Sequence, residues 1–469
     1  MTTDLIKNTG IQFISIPLKI NDEDIRSVVG AFTEEIEGND IDNDLYSLIT
    51  PYHWKEEDLY IKSDSINVEA YDSFGNLNPE NIKRDYIKAI DEEKIYKVRG
   101  TEAMEVCLNH WIPLPFFRIK RDPLNPFHQG PENWCRANLQ ECLNEEIGTT
   151  HVLTLAIDTT VENIESGEQY MRPRDIDAND SGSERFKCVL DPKHAEFFFS
   201  GDMLLDWMHT LYWSSEIKQN NNDKLRFLAV YQVFLQLLHK VEAFPEIELL
   251  AGENSIDVGL TLDIGNSRTC GLIHEKNRPY DNGPFDFTNA RKLRIRNLSK
   301  PHLLCDEPFE MQVAFADESF GGKIDEVHNW PSLVRVGPEA VELTSIFESE
   351  DSQATMSSPK RYLWDKQPVK SPWIKVGKGE RFGNFRNVDI RKYALFGIAS
   401  QVTSDGKRVR GDEEGGAIES RFSRSSLMMF AIYEILLQAL AQINSHELRK
   451  ELGNSTYRRV LKDVVLTCP

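Results

Sequence analysis

From Thr9 to Leu18 the chain reads Thr-Gly-Ile-Gln-Phe-Ile-Ser-Ile-Pro-Leu, with apolar side chains recurring at the two-residue period of a half-buried strand. An acidic stretch through Asp22, Glu23, Asp24, Glu34 and Glu35 follows and reads as helical. Between Leu108 and Ile119 two prolines stand among large apolar residues. A proline has no amide to give a ladder, so this segment is expected to be an edge strand or extended packing segment, with Trp111 and Phe116 in the core. His151 to Thr159 is a further apolar strand. It ends in Asp158-Thr159-Thr160, without the glycine that close approach of backbone to phosphate requires, so an Asx-type turn is expected there.

The polar run from Glu162 to Lys187, with Pro173 and Gly182, reads as a surface loop or insertion. Two helices come next, the first capped by Asp202. The second places Phe227, Val230, Tyr231, Phe234, Leu235, Leu238 and Val241 on one face, which reads as a core face. The turn between the helices is Gln219 to Asp223, and Pro245 closes the second. A domain border is placed near Ala251-Gly252-Glu253-Asn254-Ser255.

Beyond the border, Val258 to Ile264 and Cys270 to His274 read as the two strands of a hairpin with a polar tip. Gly265 lets backbone amides approach an anion, and Asn266, Ser267 and Thr269 add side-chain donors, the makings of a phosphate cradle. Asp263, at the strand end, would face Mg²⁺ through ordered water, because Mg²⁺ keeps much of its hydration shell. Taken alone, so short a motif reads first as an ordinary hairpin turn. Near the end of the chain, the helix from Leu427 to Ile443 is apolar nearly all round, apart from the stripe Glu434, Gln438, Gln442. Such a helix belongs in a layered α/β core, buried on more than one side. The acidic segment Gly411 to Gly416 before it is expected to be a loop.

The 469 residues exceed what one hydrophobic core organises and point to at least two units. We expect parallel strands with crossover helices in the C-terminal part and an α+β arrangement in the first 250 residues. A formal charge of −21, with no Lys/Arg-rich stripe, argues against nucleic acid as a partner. The N-terminus lacks the pattern of a secretory leader and no stretch of about 20 residues is free of charge, so a cytoplasmic protein without a membrane partner is expected. The 7 cysteines are irregularly spaced, as free thiols in a reducing compartment are. Cys135 and Cys142, the closest pair, do not have the spacing of a zinc knuckle.

The loop Leu262-Asp263-Ile264-Gly265-Asn266-Ser267-Arg268-Thr269 resembles the first phosphate motif of the superfamily of actin, sugar kinases and DnaK-type chaperones. Further stretches look like the chaperone branch in the same order. They are Trp330-Pro331-Ser332-Leu333-Val334, Met356 to Leu363 with its Lys360-Arg361 pair, the helix Leu427 to Ile443, and the strand Val464-Val465-Leu466-Thr467-Cys468-Pro469. Asn266 and Arg268 depart from the small residues of the chaperone loop. In the N-terminal part, Thr9 to Phe13, Gly130-Pro131-Glu132-Asn133-Trp134 and Leu155 to Thr160 resemble the bacterial SrfB-type virulence-factor family.

The resemblance implies a family-specific region over 1–250 and the first half of an actin-like ATPase domain, a mixed sheet with packed helices, over 256–469. It also implies that Gly265 to Arg268 wrap the β- and γ-phosphates of ATP and that Lys360 reaches the γ-phosphate or the attacking water as catalytic group. A second lobe with a further phosphate loop is expected past Pro469, and this chain alone is expected to be inactive as an ATPase. The function expected is a Mg-ATP-dependent switch acting on a protein partner. A scaffold that keeps the frame without turnover is the alternative. A small-molecule kinase ranks third, because no segment offers a catalytic aspartate for a sugar pocket.

Overall fold

The computed structural model describes residues 2–33, 50–55, 58–61, 95–120, 133–146, 148–162, 184–190, 224–276, 289–316, 328–345, 354–370 and 421–467, with a few isolated positions between them. The Asp202 cap, the Gln219 to Asp223 turn, most of the Glu162 to Lys187 run and the acidic Gly411 to Gly416 segment lie outside the described residues. The chain is a mixed α/β protein with several small sheets and few helices. It divides into two units, one made of Ile16–Leu153 and Ile164–Glu246, the other of Thr2–Ser15, Thr154–Asn163 and Ile247–Pro469.

In the first unit the acidic stretch, whose Glu34 and Glu35 lie outside the described residues, is helical over Asp22–Ser27. Asn21 caps it, accepting from the Asp24 amide while the Asp24 carboxylate accepts from the Asn21 amide. The helix stops there because Val29–Thr33 is taken as a strand between Thr50–Lys55 and Ile95–Arg99, in an antiparallel sheet completed by Asp58–Ile61. The two-proline segment forms short strands, Trp111–Leu114 and Phe116–Arg118, paired with Cys135–Asn144 and Arg185–Cys188 respectively. Trp111 and Phe116 are buried as expected. The helix Lys224–Lys240 buries Val230, Tyr231, Phe234, Leu235 and Leu238, and the Tyr231 hydroxyl donates to the Pro113 carbonyl at 2.6 Å. Burial pushes the thiols of Cys107, Cys135 and Cys188 up, which keeps them protonated.

The second unit is built on the predicted hairpin. Its inner strand Ser255–Ile264 and return strand Arg268–Lys276 pair antiparallel, Ala290–Lys292 extends one side, and Arg458–Thr467 lies parallel to the inner strand on the other. Along the inner strand Ile256, Val258, Leu260, Leu262 and Ile264 are buried, and the last four share a core with Leu427, Phe430, Ala431 and Ile435 of the long helix Arg424–Ile443. The alternate residues, from Asp257 through Thr261 to Asp263, point to the opposite face. A second sheet, Gln312–Phe315 between Val334–Val336 and Thr355–Ser357, joins the same core. The long helix has the length and composition of a membrane span, but just over half of its most apolar stretch is buried inside the protein.

The N-terminal residues complete this unit. The Lys7 amide donates to the Leu250 carbonyl at 2.9 Å, the Thr159 hydroxyl donates to the Gly10 carbonyl at 2.8 Å, and Arg449 donates to the Asp4 carbonyl. The expected Asx turn is present, with the Thr160 amide 3.0 Å from Asp158 Oδ1.

Candidate functional site

Ile264 and Thr269 are register partners, so the hairpin tip is Gly265 to Arg268. The Gly265 amide donates to the Arg268 carbonyl at 3.0 Å, and a Cβ on Gly265 would collide with that same oxygen. Glycine is therefore what allows the tip to close this tightly. Asn266, Ser267 and Arg268 are exposed, and neither their side chains nor the Asn266 and Ser267 amides make a hydrogen bond among the described residues. Thr269 is oriented differently. It is 1% exposed, with its hydroxyl 3.5 Å from Met311 Sδ, so its side chain belongs to the packing beneath the tip rather than to the polar surface.

Lys360 arrives from a distant segment. Thr355–Ser357 is the outer strand of the second sheet, and Ser358, in the left-handed conformation at φ 53°, turns the chain into the short 3₁₀ helix Pro359–Tyr362. Met311 ties this turn to the hairpin: its amide donates to the Ser267 carbonyl at 3.0 Å and its carbonyl accepts from the Ser358 amide at 2.8 Å. The Lys360 ammonium then donates to the Ile264 carbonyl at 2.7 Å, across 96 residues of sequence. An ammonium has three donors, so two remain for another acceptor.

Asp263 stands at the carboxyl end of the inner strand, exposed and on the face away from the long helix. Its neighbour in the parallel ladder is Thr467, whose hydroxyl donates to Asp263 Oδ1 at 2.7 Å. The other carboxylate oxygen has no partner among the described residues. Further along the same face Asp463 pairs with Lys276, which holds its carboxyl below the usual range. His274 lies close by, lowered by burial and then by the Lys276 charge.

The structure thus brings together Asp263, Gly265, Asn266, Ser267, Arg268 and Lys360 and turns the Thr269 side chain inward. One partner, Thr467, was not singled out from sequence, since its role depends on a ladder register between strands 204 residues apart. Among the described residues the donor set offers a carboxylate with a free oxygen, two unengaged amides, a hydroxyl and two cations, which suits a hydrated divalent cation with phosphate. No group of three or more His, Cys, Asp and Glu among the described residues could hold a metal ion directly.

No curated protein and no solved structure matches this chain. A family model described as virulence factor SrfB matches residues 1–469, its whole length. The chain therefore belongs to the SrfB virulence-factor family.

Proposed function

We propose that residues 256–469 form the first lobe of an actin-like fold and hold the phosphates of Mg-ATP at the hairpin tip. In this reading the chain is a cytoplasmic nucleotide-dependent switch that engages a protein partner. The observation that carries it is the Lys360 ammonium anchored on the Ile264 carbonyl, which delivers a cation to a tip already rich in unengaged donors. Open α/β sheets bind ligands outside the carboxyl ends of their parallel strands, and Asp263 and Thr467 are those ends here.

Bound ATP would supply the transferable phosphoryl group. The chain's own residues would do the holding. Asn266 and Ser267 offer amides to phosphate oxygens, Lys360 and Arg268 offset their charge, and Asp263 holds the hydrated Mg²⁺. Calorimetric titration of Mg-ATP tests this directly. Binding is expected in the unmodified chain, and Asp263→Ala and Lys360→Ala should each weaken it by at least about tenfold, roughly 1.4 kcal/mol. Absence of binding in the unmodified chain overturns the proposal. The alternative is then a non-enzymatic scaffold, which one feature favours: the Gly265 amide is spent on the Arg268 carbonyl rather than offered outward.

A further inference from the structure

The ladder between the inner strand and Arg458–Thr467 is irregular at one point. Val258 is opposite Leu461, but Gly259 is opposite Asp463, so Lys462 is an extra residue in the closing strand. Counting on without that bulge would set Leu466 against Asp263. With it, Thr467 takes the position, and a hydroxyl replaces an isobutyl group beside the carboxylate. Bulges of this kind re-aim side chains and are common next to functional sites. Gly259 sits where the bulge falls, and a Cβ there would collide with the His274 ring, so the inner strand has no side chain at that point.

We propose that Thr467 is a positioning residue for the metal-binding carboxylate, an inference that rests on the nucleotide reading above. The Thr467 hydroxyl has one proton. The Leu262 carbonyl, at 3.4 Å, is the poorer acceptor, so the proton goes to Asp263 Oδ1 at 2.7 Å. This bond fixes the carboxylate rotamer and occupies one oxygen, leaving the other free for water of the Mg²⁺ shell. Groups that orient a metal's carboxylate in this way matter to metal affinity although they do not touch the metal.

The test separates the metal's contribution from that of the nucleotide. ADP affinity is measured in EDTA and in Mg²⁺ for the unmodified chain, Thr467→Val, Thr467→Ser and Asp263→Ala, and the Mn²⁺ paramagnetic resonance spectrum is recorded with ADP for each. In Thr467→Val the enhancement by Mg²⁺ should fall by about tenfold while affinity in EDTA stays unchanged, with a broadened Mn²⁺ spectrum. Thr467→Ser, which keeps the hydroxyl, should restore both. Thr467→Val retaining the full Mg²⁺ enhancement, while Asp263→Ala abolishes it, overturns the role of Thr467 and leaves the nucleotide site standing. So does Thr467→Ser losing as much as Thr467→Val. An unmodified chain that binds ADP in neither condition overturns the nucleotide reading together with this one. Should Thr467→Val not fold, the serine variant decides: a loss of enhancement in a folded Thr467→Ser overturns the proposal, and retention supports it.

Discussion

Glu434 is 1% exposed in the middle of an apolar helix, and its surroundings explain how a charge is tolerated there. Its carboxylate accepts from Trp330 Nε1 at 2.8 Å and from Gln438 at 2.8 Å, and pairs with the equally buried Arg335 at 3.3 Å. Replacing it by alanine strands a buried guanidinium and an indole donor. Glu434→Ala should cost about 3–5 kcal/mol in chemical denaturation, because the penalty is that of the uncompensated charge rather than of the lost pair. A pH effect follows from His151, buried at 8% exposure, whose desolvation lowers its pKa against the opposing charge of Glu141. The folded chain therefore binds its proton less readily than the unfolded one. The contribution is fully present above the unfolded value of about 6.5 and is lost as pH falls through the lower folded value. Melting temperature should drop as pH is lowered from neutrality toward 5.5, and His151→Gln should flatten part of that slope. His274 and His302, also lowered chiefly by burial, account for a further share.

The stripe Glu434, Gln438, Gln442 was visible in sequence, but its purpose was not. Gln438 accepts from the Arg296 amide at 3.1 Å and donates to the Arg296 carbonyl at 3.3 Å, and Gln442 does the same for the Arg294 amide at 2.8 Å and the Lys292 carbonyl at 2.9 Å. Two side-chain amides thus stand in for a neighbouring strand. The spacing permits it, since four helical residues rise about 6 Å and two strand residues about 6.6 Å. Gln438→Leu leaves both backbone groups of Arg296 without partners and should lower stability by about 1–3 kcal/mol, with faster amide exchange at Arg296 than at Arg294. The hairpin was legible because period-two apolar runs flank a glycine-led polar tip. The ladder joining it to the closing strand was not, because a bulge leaves no mark in hydrophobic pattern. Thr269 turns inward for a reason that lies in the register: it stands opposite buried Ile264 and shares a strand face with buried Ile273, so its hydroxyl falls on the core face, whereas Ser267 and Arg268 belong to the turn.

The mixed α/β class and the membership of the SrfB family could both be read from the chain. What sequence order concealed is that Thr2–Ser15 and Thr154–Asn163 belong to the same unit as Ile247–Pro469. Phe13 shows why. Its ring lies 6.0 Å from that of Trp330 and beneath the Arg296 guanidinium at 4.7 Å, contacts that no local pattern encodes. Apolar alternation around Phe13 announced a strand, but not which core would receive it.

The closing strand has one further consequence, for how copies of the protein behave in solution. It is the last strand of its sheet among the described residues, and its Val464, Val465 and Leu466 are 42%, 52% and 45% exposed, on both faces. A row of unpaired backbone groups flanked by apolar side chains is a template for another strand. The charge of −21 holds copies apart while it is unscreened. Raising the salt shortens that repulsion to a few ångströms, so light scattering should report association that grows with ionic strength, the reverse of what an ion-paired contact would give. Val465→Lys, which places a charge on the strand, should keep the protein monodisperse at salt concentrations where the unmodified chain associates.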